Sequence, residues 1–133
     1  MTQVANLIQA FERGLVQQDQ RLRSSSSHWV KSGEVLAPGT VLHALDALHA
    51  DLLDFEQRAA QLKPDNDSER RARELLIESL NKEALGIQTL RLAASTTDPS
   101  AQTGGLQQAE RLIKSAHTLF TEARNAAGCG KQC

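Results

Sequence analysis

Tyrosine is absent from this chain, and proline and aromatic residues are scarce. Among 133 residues there are three Pro, three Phe and one Trp, so that aromatic residues make up 3% of the sequence. A core must therefore consist mainly of aliphatic side chains, and few prolines interrupt regular secondary structure. Apolar residues still account for 40% of the chain, and a chain of this size can bury roughly two thirds of its unfolded surface. The composition predicts one domain with an aliphatic core.

No charge of one sign dominates, and no apolar run is long. Lys and Arg total 15 against 16 Asp and Glu, and the two signs are interspersed. Such a chain has no long-range field to attract nucleic acid or anionic lipid, so we expect neither as a partner. The apolar runs are far shorter than the roughly 20 residues that span a bilayer, and the N-terminus does not resemble a signal peptide. We expect a soluble, cytoplasmic protein, unless it is a mature secreted form.

The two cysteines lie close together at the C-terminus. Cys129 and Cys133 have no further Cys or His at ligand spacing, so a structural zinc site is not indicated. We interpret residues 128–133 as a flexible tail with free thiols, the alternative being a disulfide within the tail or between chains. Residues 1–127 then form a single helical domain.

Apolar residues recur at alternating steps of three and four in four segments. The pattern is clearest in the second segment, where it includes Val41, Leu45, Leu48, Leu52 and Phe55. This spacing keeps the side chains on one face of an α-helix and is typical of helices that pack along a seam. The predicted helices cover about residues 2–23, 40–63, 67–95 and 99–127.

Short connections separate the last three helices, whereas a long serine-rich stretch follows the first. Short connections make successive helices antiparallel neighbours, so we predict an all-α fold, an antiparallel up-down bundle of four helices. Residues 24–39 begin with four serines, whose hydroxyls compete for backbone hydrogen bonds and disfavour a helix. Two arrangements are open. Helix one packs in this bundle, or the long loop allows helix one to pack against another chain, so that a three-helix core remains.

Capping signals mark the helix ends. Thr40, Asn66 and Asp98 are suitable N-cap residues, because their side-chain oxygens can accept a hydrogen bond from a backbone N–H of the first turn. Glu69 follows Asn66 by three residues and approximates a capping box. Gly128 is a typical residue beyond the end of the last helix.

Seven polar residues lie on or near the predicted core-facing sides of the helices. They are His49, Glu56, Glu83, Arg91, Glu110, His117 and Arg124. In four-helix bundles, di-iron sites need Glu-x-x-His within one turn, and this motif is missing. His49 and Glu56 are seven residues apart, as are Glu110 and His117, so each pair is about 10.5 Å apart along its helix and cannot chelate one ion. We expect no metal or cofactor and interpret these residues as ion-pairing or solvated.

Helix three carries more leucines than one buried face requires. Its main stripe includes Leu76 and Leu80, but Leu75, Leu85 and Leu92 point away from that stripe at about 100° per residue. They face water if helix three has only one apolar neighbour. We therefore predict that these three leucines form a surface for a partner.

The only tryptophan, Trp29, lies in the serine-rich connection. One interpretation is that it folds back to close one end of the bundle, and the other is that it anchors a partner, because Trp is enriched in binding hot spots. Arg70, Arg71 and Arg73 form the densest basic cluster, but acidic residues surround them and no aromatic side chains are interleaved. We interpret the arginines as a solvated, internally neutralised face, with an acidic protein as the alternative partner.

Nothing in the sequence has the pattern of a catalytic site. We therefore expect a non-enzymatic helical interaction module, such as an adaptor, a small chaperone or an accessory subunit, which binds a partner helix or its own copy through helix three. The alternative is a bundle that binds a small molecule or metal in its interior through His49, Glu56, Glu83, Glu110 and His117.

Overall fold

The computed structural model describes residues 3–14 and 39–128, and every structural statement below concerns these ranges. They form four helices and contain no strand, which confirms the predicted all-α bundle. The helices are α1 (residues 3–14), α2 (Gly39–Gln61), α3 (Asp67–Ala94) and α4 (Pro99–Ala126). The second half of predicted helix one, the serine-rich connection with Trp29, and both cysteines lie outside the described residues.

Contacts between successive helices show that α2, α3 and α4 run antiparallel. The contacting pairs between α2 and α3 are Asp46–Arg91, Glu56–Asn81 and Leu62–Arg73. Residue numbers therefore rise along α2 as they fall along α3. From α3 to α4 the same holds for the pairs Ser79–Ala116, Lys82–Ser115 and Gly86–Ile113. This is the up-down order that the short connections predict.

The first helix packs against α2 and α4 of the same chain. The ring of Phe11 lies 5.1 Å from that of Phe55 in an edge-to-face arrangement, and 5.1 Å from that of Phe120. Nearby, Nε of Arg124 lies 2.8 Å from Oε1 of Glu12. Of the two arrangements that the sequence leaves open, the described part of α1 has the first, within a four-helix bundle.

The core is mainly aliphatic, as the composition predicts. Its fully buried members from α1, α2 and α3 include Val4, Ile8, Phe11, Val41, Leu45, Leu52, Leu76, Leu80 and Ile87. The residues that α4 buries completely are alanines, namely Ala109, Ala116 and Ala123. Since alanine is short, α4 approaches α3 closely along this seam.

Glycines allow a close approach between α3 and α4. A Cβ atom added to Gly105 would lie 2.8 Å from Cβ of Ala93, and one added to Gly86 would lie 2.9 Å from Cγ1 of Ile113. Inside this seam the hydroxyl of Ser79, which is fully buried, donates a 2.8 Å hydrogen bond to the backbone oxygen of Ala116. The pair α3 and α4 therefore forms a tight unit in which side-chain volume is strictly limited.

The ends of α3 and α4 follow the capping signals in the sequence. The backbone N–H of Glu69 donates to Oδ1 of Asn66 at 2.9 Å, and Oε2 of Glu69 accepts from the backbone N–H of Asp65 at 2.7 Å, one residue before the cap. Asp98 is the N-cap of α4, and Gly128 lies just beyond its end with a φ of 80°. These caps satisfy backbone groups that a helix terminus leaves without partners.

Helix α2 begins at Gly39, one residue before the predicted cap at Thr40. In the described ranges, none of the helices is long and apolar enough to cross a membrane.

Candidate interaction surface

The three leucines predicted to form a partner surface on α3 fall into two groups. Leu85 and Leu92 are 48% and 65% exposed, whereas Leu75 is only 5% exposed and belongs to the core. Assigning Leu75 to the exposed surface was therefore wrong. The side chain of Leu75 points about 100° away from that of Leu76 and therefore faces α4. The side chain of Leu85 points about 180° away from that of Leu76.

A third exposed leucine lies on the neighbouring helix. Leu53 of α2 is 47% exposed. The pairings of Asp46 with Arg91 and of Glu56 with Asn81 place it at the level of Leu85 along the two antiparallel helices. We call Leu53, Leu85 and Leu92 the leucine surface. Leu53 was not predicted from the sequence, although it lies off the regular stripe of its helix, as Leu85 does.

A cavity opens beside Leu92, between α2 and α3. Its volume is about 250 Å³, and its lining comprises Leu45, Asp46, His49, Ile87, Gln88, Arg91 and Leu92. Leu45 and Ile87 are buried core residues and give the cavity an apolar floor. The volume and the apolar floor of this cavity suit a side chain of a docking protein.

Polar groups fix one edge of this cavity. Nε of Arg91 donates to Oδ1 of Asp46 at 3.0 Å, and NH1 of Arg91 donates to the hydroxyl of Ser95 at 2.6 Å. The hydroxyl of Ser95 in turn donates to the backbone oxygen of Arg91 at 2.8 Å. Arg91 is thus held between α2 and the end of α3, and the cavity has a polar rim around an apolar floor.

The polar residues predicted on core-facing sides are spread over different helix pairs. His49 and Arg91 line the cavity between α2 and α3, and Glu56 accepts a 3.4 Å hydrogen bond from Asn81 nearby. Glu83 of α3 is buried, and its Oε1 lies 3.7 Å from Nε2 of the exposed His117 of α4. In the described ranges no three metal-ligating side chains come close enough to hold an ion.

The two remaining predicted polar residues lie on α4 and form ion pairs. Oε1 of Glu110 lies 3.1 Å from Nζ of Lys114, one turn further along the same helix, and both side chains are exposed. Arg124 contacts Glu12 of α1, as described above. Glu110 therefore fits the interpretation as a solvated residue, while Arg124 joins two helices.

A second cavity lies along α3 and α4. It measures about 290 Å³ and is lined by Leu90, Leu106, Ala109, Glu110, Ile113, Lys114 and His117. His117 connects it to the buried carboxylate of Glu83. Of the residues proposed for ligand binding, this cavity contains Glu110 and His117, whereas His49 and Glu56 lie between α2 and α3.

The basic cluster at the start of α3 has a structural role. NH1 of Arg70 contacts Oδ1 of Asp67 at 2.9 Å, and NH1 of Arg73 donates a 2.8 Å hydrogen bond to the backbone oxygen of Leu62. Arg73 thereby satisfies a carbonyl just after the end of α2, and Arg71 is exposed. Two of the three arginines are thus engaged within the bundle, Arg70 by an acid of its own helix and Arg73 by a neutral carbonyl, and the interpretation as an internally neutralised face stays a prediction.

Comparisons of the chain with protein-family models, with curated proteins and with solved structures found no match.

Proposed function

We propose that this chain is a non-enzymatic helical interaction module that binds an apolar helix of another chain on the leucine surface. The observation that supports this proposal is Leu92, which is 65% exposed at the mouth of a cavity with an apolar floor. Leu85 precedes it by two helical turns, and Leu53 lies alongside on α2. Grouped exposed leucines next to a cavity are typical of a contact surface, whereas scattered ones are common on any protein.

The arrangement suits the docking of a helix into the groove between α2 and α3. Leu85 and Leu92 are seven residues apart on one face, which spaces them about 10.5 Å apart. A partner helix with apolar residues at positions i, i+3 or i+4 and i+7 matches this spacing. One of its side chains enters the cavity, and its neighbours cover Leu85 and Leu53.

The groove needs little rearrangement to accept such a helix. Leu45 and Ile87, which form the cavity floor, are part of the packed core, and the ion pair between Asp46 and Arg91 joins the two helices at its edge. A preformed surface loses less conformational entropy on binding than one that must first become ordered. We propose that this interaction module is an adaptor, a small chaperone or an accessory subunit. We further propose that it is a cytoplasmic protein.

Site-specific photo-crosslinking in cells tests the proposal. A photo-reactive phenylalanine analogue at position 92 or 85 is expected to form an adduct with a second chain, whose mass distinguishes a partner protein from a second copy. The matched control places the same analogue at Leu106, which is 37% exposed on α4. Absence of adducts at both α3 positions in a folded protein, or equal adducts at Leu106, contradicts the proposal.

The cavity between α3 and α4 supports a second candidate function, the binding of a small molecule. Its apolar lining and the neighbouring pair of Glu83 and His117 offer both burial and a polar contact. This candidate predicts a stoichiometric extra mass on the isolated protein, which His117→Ala removes. If that variant keeps an unchanged ligand, the assignment of His117 to the ligand site is wrong.

A further inference from the structure

We infer that the partner of the leucine surface is a basic amphipathic helix of a different protein, which places Lys or Arg beside Glu56 and Glu78. This inference rests on the proposed function and specifies the chemistry of the partner. It follows from the charged side chains that border the leucine surface and from the ion pairs that some of them already form within the bundle.

The helix that forms one side of the groove is strongly acidic. Between Gly39 and Gln61, α2 contains the acids Asp46, Asp51, Asp54 and Glu56 but only one cation, Arg58. Arg91 neutralises Asp46 at the cavity, and NH1 of Arg58 lies 3.9 Å from Oδ2 of Asp54. From the described residues, Glu56 receives only a long hydrogen bond, donated by the neutral amide of Asn81.

Glu56 and Glu78 border the end of the leucine surface that lies away from the cavity. Glu56 follows Leu53 by one helical turn, and Glu78 precedes Leu85 by two turns on the same face of α3. The antiparallel pairing of Glu56 with Asn81 puts both carboxylates at the same level of the groove. Glu78 is exposed and makes no ion pair with any other described residue.

The surface therefore has two chemically different ends. Its cavity end, near Leu92, accepts an apolar side chain, and its acidic end favours a cation. Fourteen residues separate Leu92 from Glu78, which corresponds to about 21 Å along a helix. A partner helix of similar length can bring an apolar anchor to the cavity and a Lys or Arg to the two carboxylates at once. Arg adds bidentate hydrogen bonding to carboxylates.

A second copy of this chain does not complement the acidic end. The cation that lines the cavity, Arg91, is already engaged by Asp46 and Ser95. Lys82, which precedes Leu85 by one turn, is directed to α4, where its Nζ donates to the hydroxyl of Ser115 at 3.1 Å. Pairing two such surfaces leaves Glu56 and Glu78 without a new cation, and like charges brought together oppose association.

Three synthetic helical peptides test the inference by fluorescence anisotropy. All carry the same leucine stripe, and they differ only in having Lys, Gln or Glu at the positions that reach the acidic end. We expect the Lys peptide to bind about tenfold more tightly than the Glu peptide at 0.1 M salt, with the Gln peptide between them. The preference should shrink at 1 M salt, where the screening length falls from about 10 Å to about 3 Å.

Variants of the protein assign the effect to the named carboxylates. The double substitution Glu56→Gln and Glu78→Gln is expected to abolish the preference for Lys over Glu while the Gln peptide still binds. The matched control, Asp51→Asn on α2 with Glu122→Gln on α4, changes the net charge equally at two exposed positions and should keep the preference.

The outcomes separate this inference from the proposed function. If all three peptides bind equally and Leu85→Asp with Leu92→Asp abolishes binding, the charge inference is wrong and the proposed function stands. If no peptide binds, or if the aspartates leave binding unchanged, both are wrong. If sedimentation shows a dimer that the aspartates dissociate, the occupant is a second copy and the basic partner is excluded.

Discussion

Two neighbouring glycines of α4 differ in how much space they leave for a side chain at the contact with α3. Gly104 and Gly105 are neighbours in the first half of α4, yet their surroundings differ. An added Cβ meets nothing within 4 Å at Gly104, whereas at Gly105 it would lie 2.8 Å from Cβ of Ala93 and 3.6 Å from its Cα. Ala93 has no flexible side chain that could move aside. The same substitution should therefore have opposite effects at the two positions.

We predict that Gly104→Ala stabilises the protein and that Gly105→Ala destabilises it. Alanine in place of glycine inside a helix is worth up to about 1 kcal/mol. At Gly105 the steric cost of overpacking, typically about 1–3 kcal/mol, exceeds that gain. Urea unfolding of both variants gives the two free energies. Equal stabilisation at both positions would contradict the close approach of α3 and α4.

At the level of helices, periodicity and capping predicted most of what the structure shows. The stripe of α2 from Val41 to Leu52 is buried, and Asn66 and Asp98 cap their helices as expected. These features depend on a few neighbouring residues within one segment. They can be predicted without knowing what the helix packs against.

The number of neighbours around each helix could not be predicted in the same way. Leu75 and Leu85 both lie off the main stripe of α3, but only Leu75 is turned toward α4 and buried. Whether an off-stripe leucine is covered depends on where the next helix packs, and the spacing within one helix carries no such information. For the same reason the sequence did not indicate that Glu83 lies close to His117 of α4.

The attachment of α1 leads to a prediction for the variant Phe11→Ala. Phe11 is 2% exposed and its ring contacts those of Phe55 and Phe120, so that one side chain joins α1 to two helices. Removal of a buried phenylalanine ring costs about 3–5 kcal/mol. We expect the free energy of unfolding to fall by about this amount, and the protein to unfold in a single transition.

Phe11→Leu serves as the control, because it keeps most of the buried volume and should cost much less. Calorimetry or urea unfolding followed by circular dichroism measures both variants. A wild-type-like midpoint for Phe11→Ala would mean that α1 contributes little to this bundle and would contradict its place in the core.

In the whole molecule, the residues that maintain the fold are different from those that are available for binding. The core, the glycine contacts and the caps hold four helices together, while Leu53, Leu85 and Leu92 remain exposed on the face between α2 and α3. Changes at exposed positions away from packing usually alter stability by no more than about 0.5 kcal/mol. Loss of Leu85 and Leu92 should therefore affect binding far more than folding.

Native mass spectrometry of the protein isolated with its partners can compare the wild type with the double variant Leu85→Asp and Leu92→Asp. We expect a second chain bound to the wild type and its loss in the double variant. The free variant should keep an unchanged helical spectrum and a nearly unchanged unfolding midpoint. The same assembly in both proteins, or a wild type that carries only a small molecule, would contradict the claim that the leucine surface is a protein-binding site.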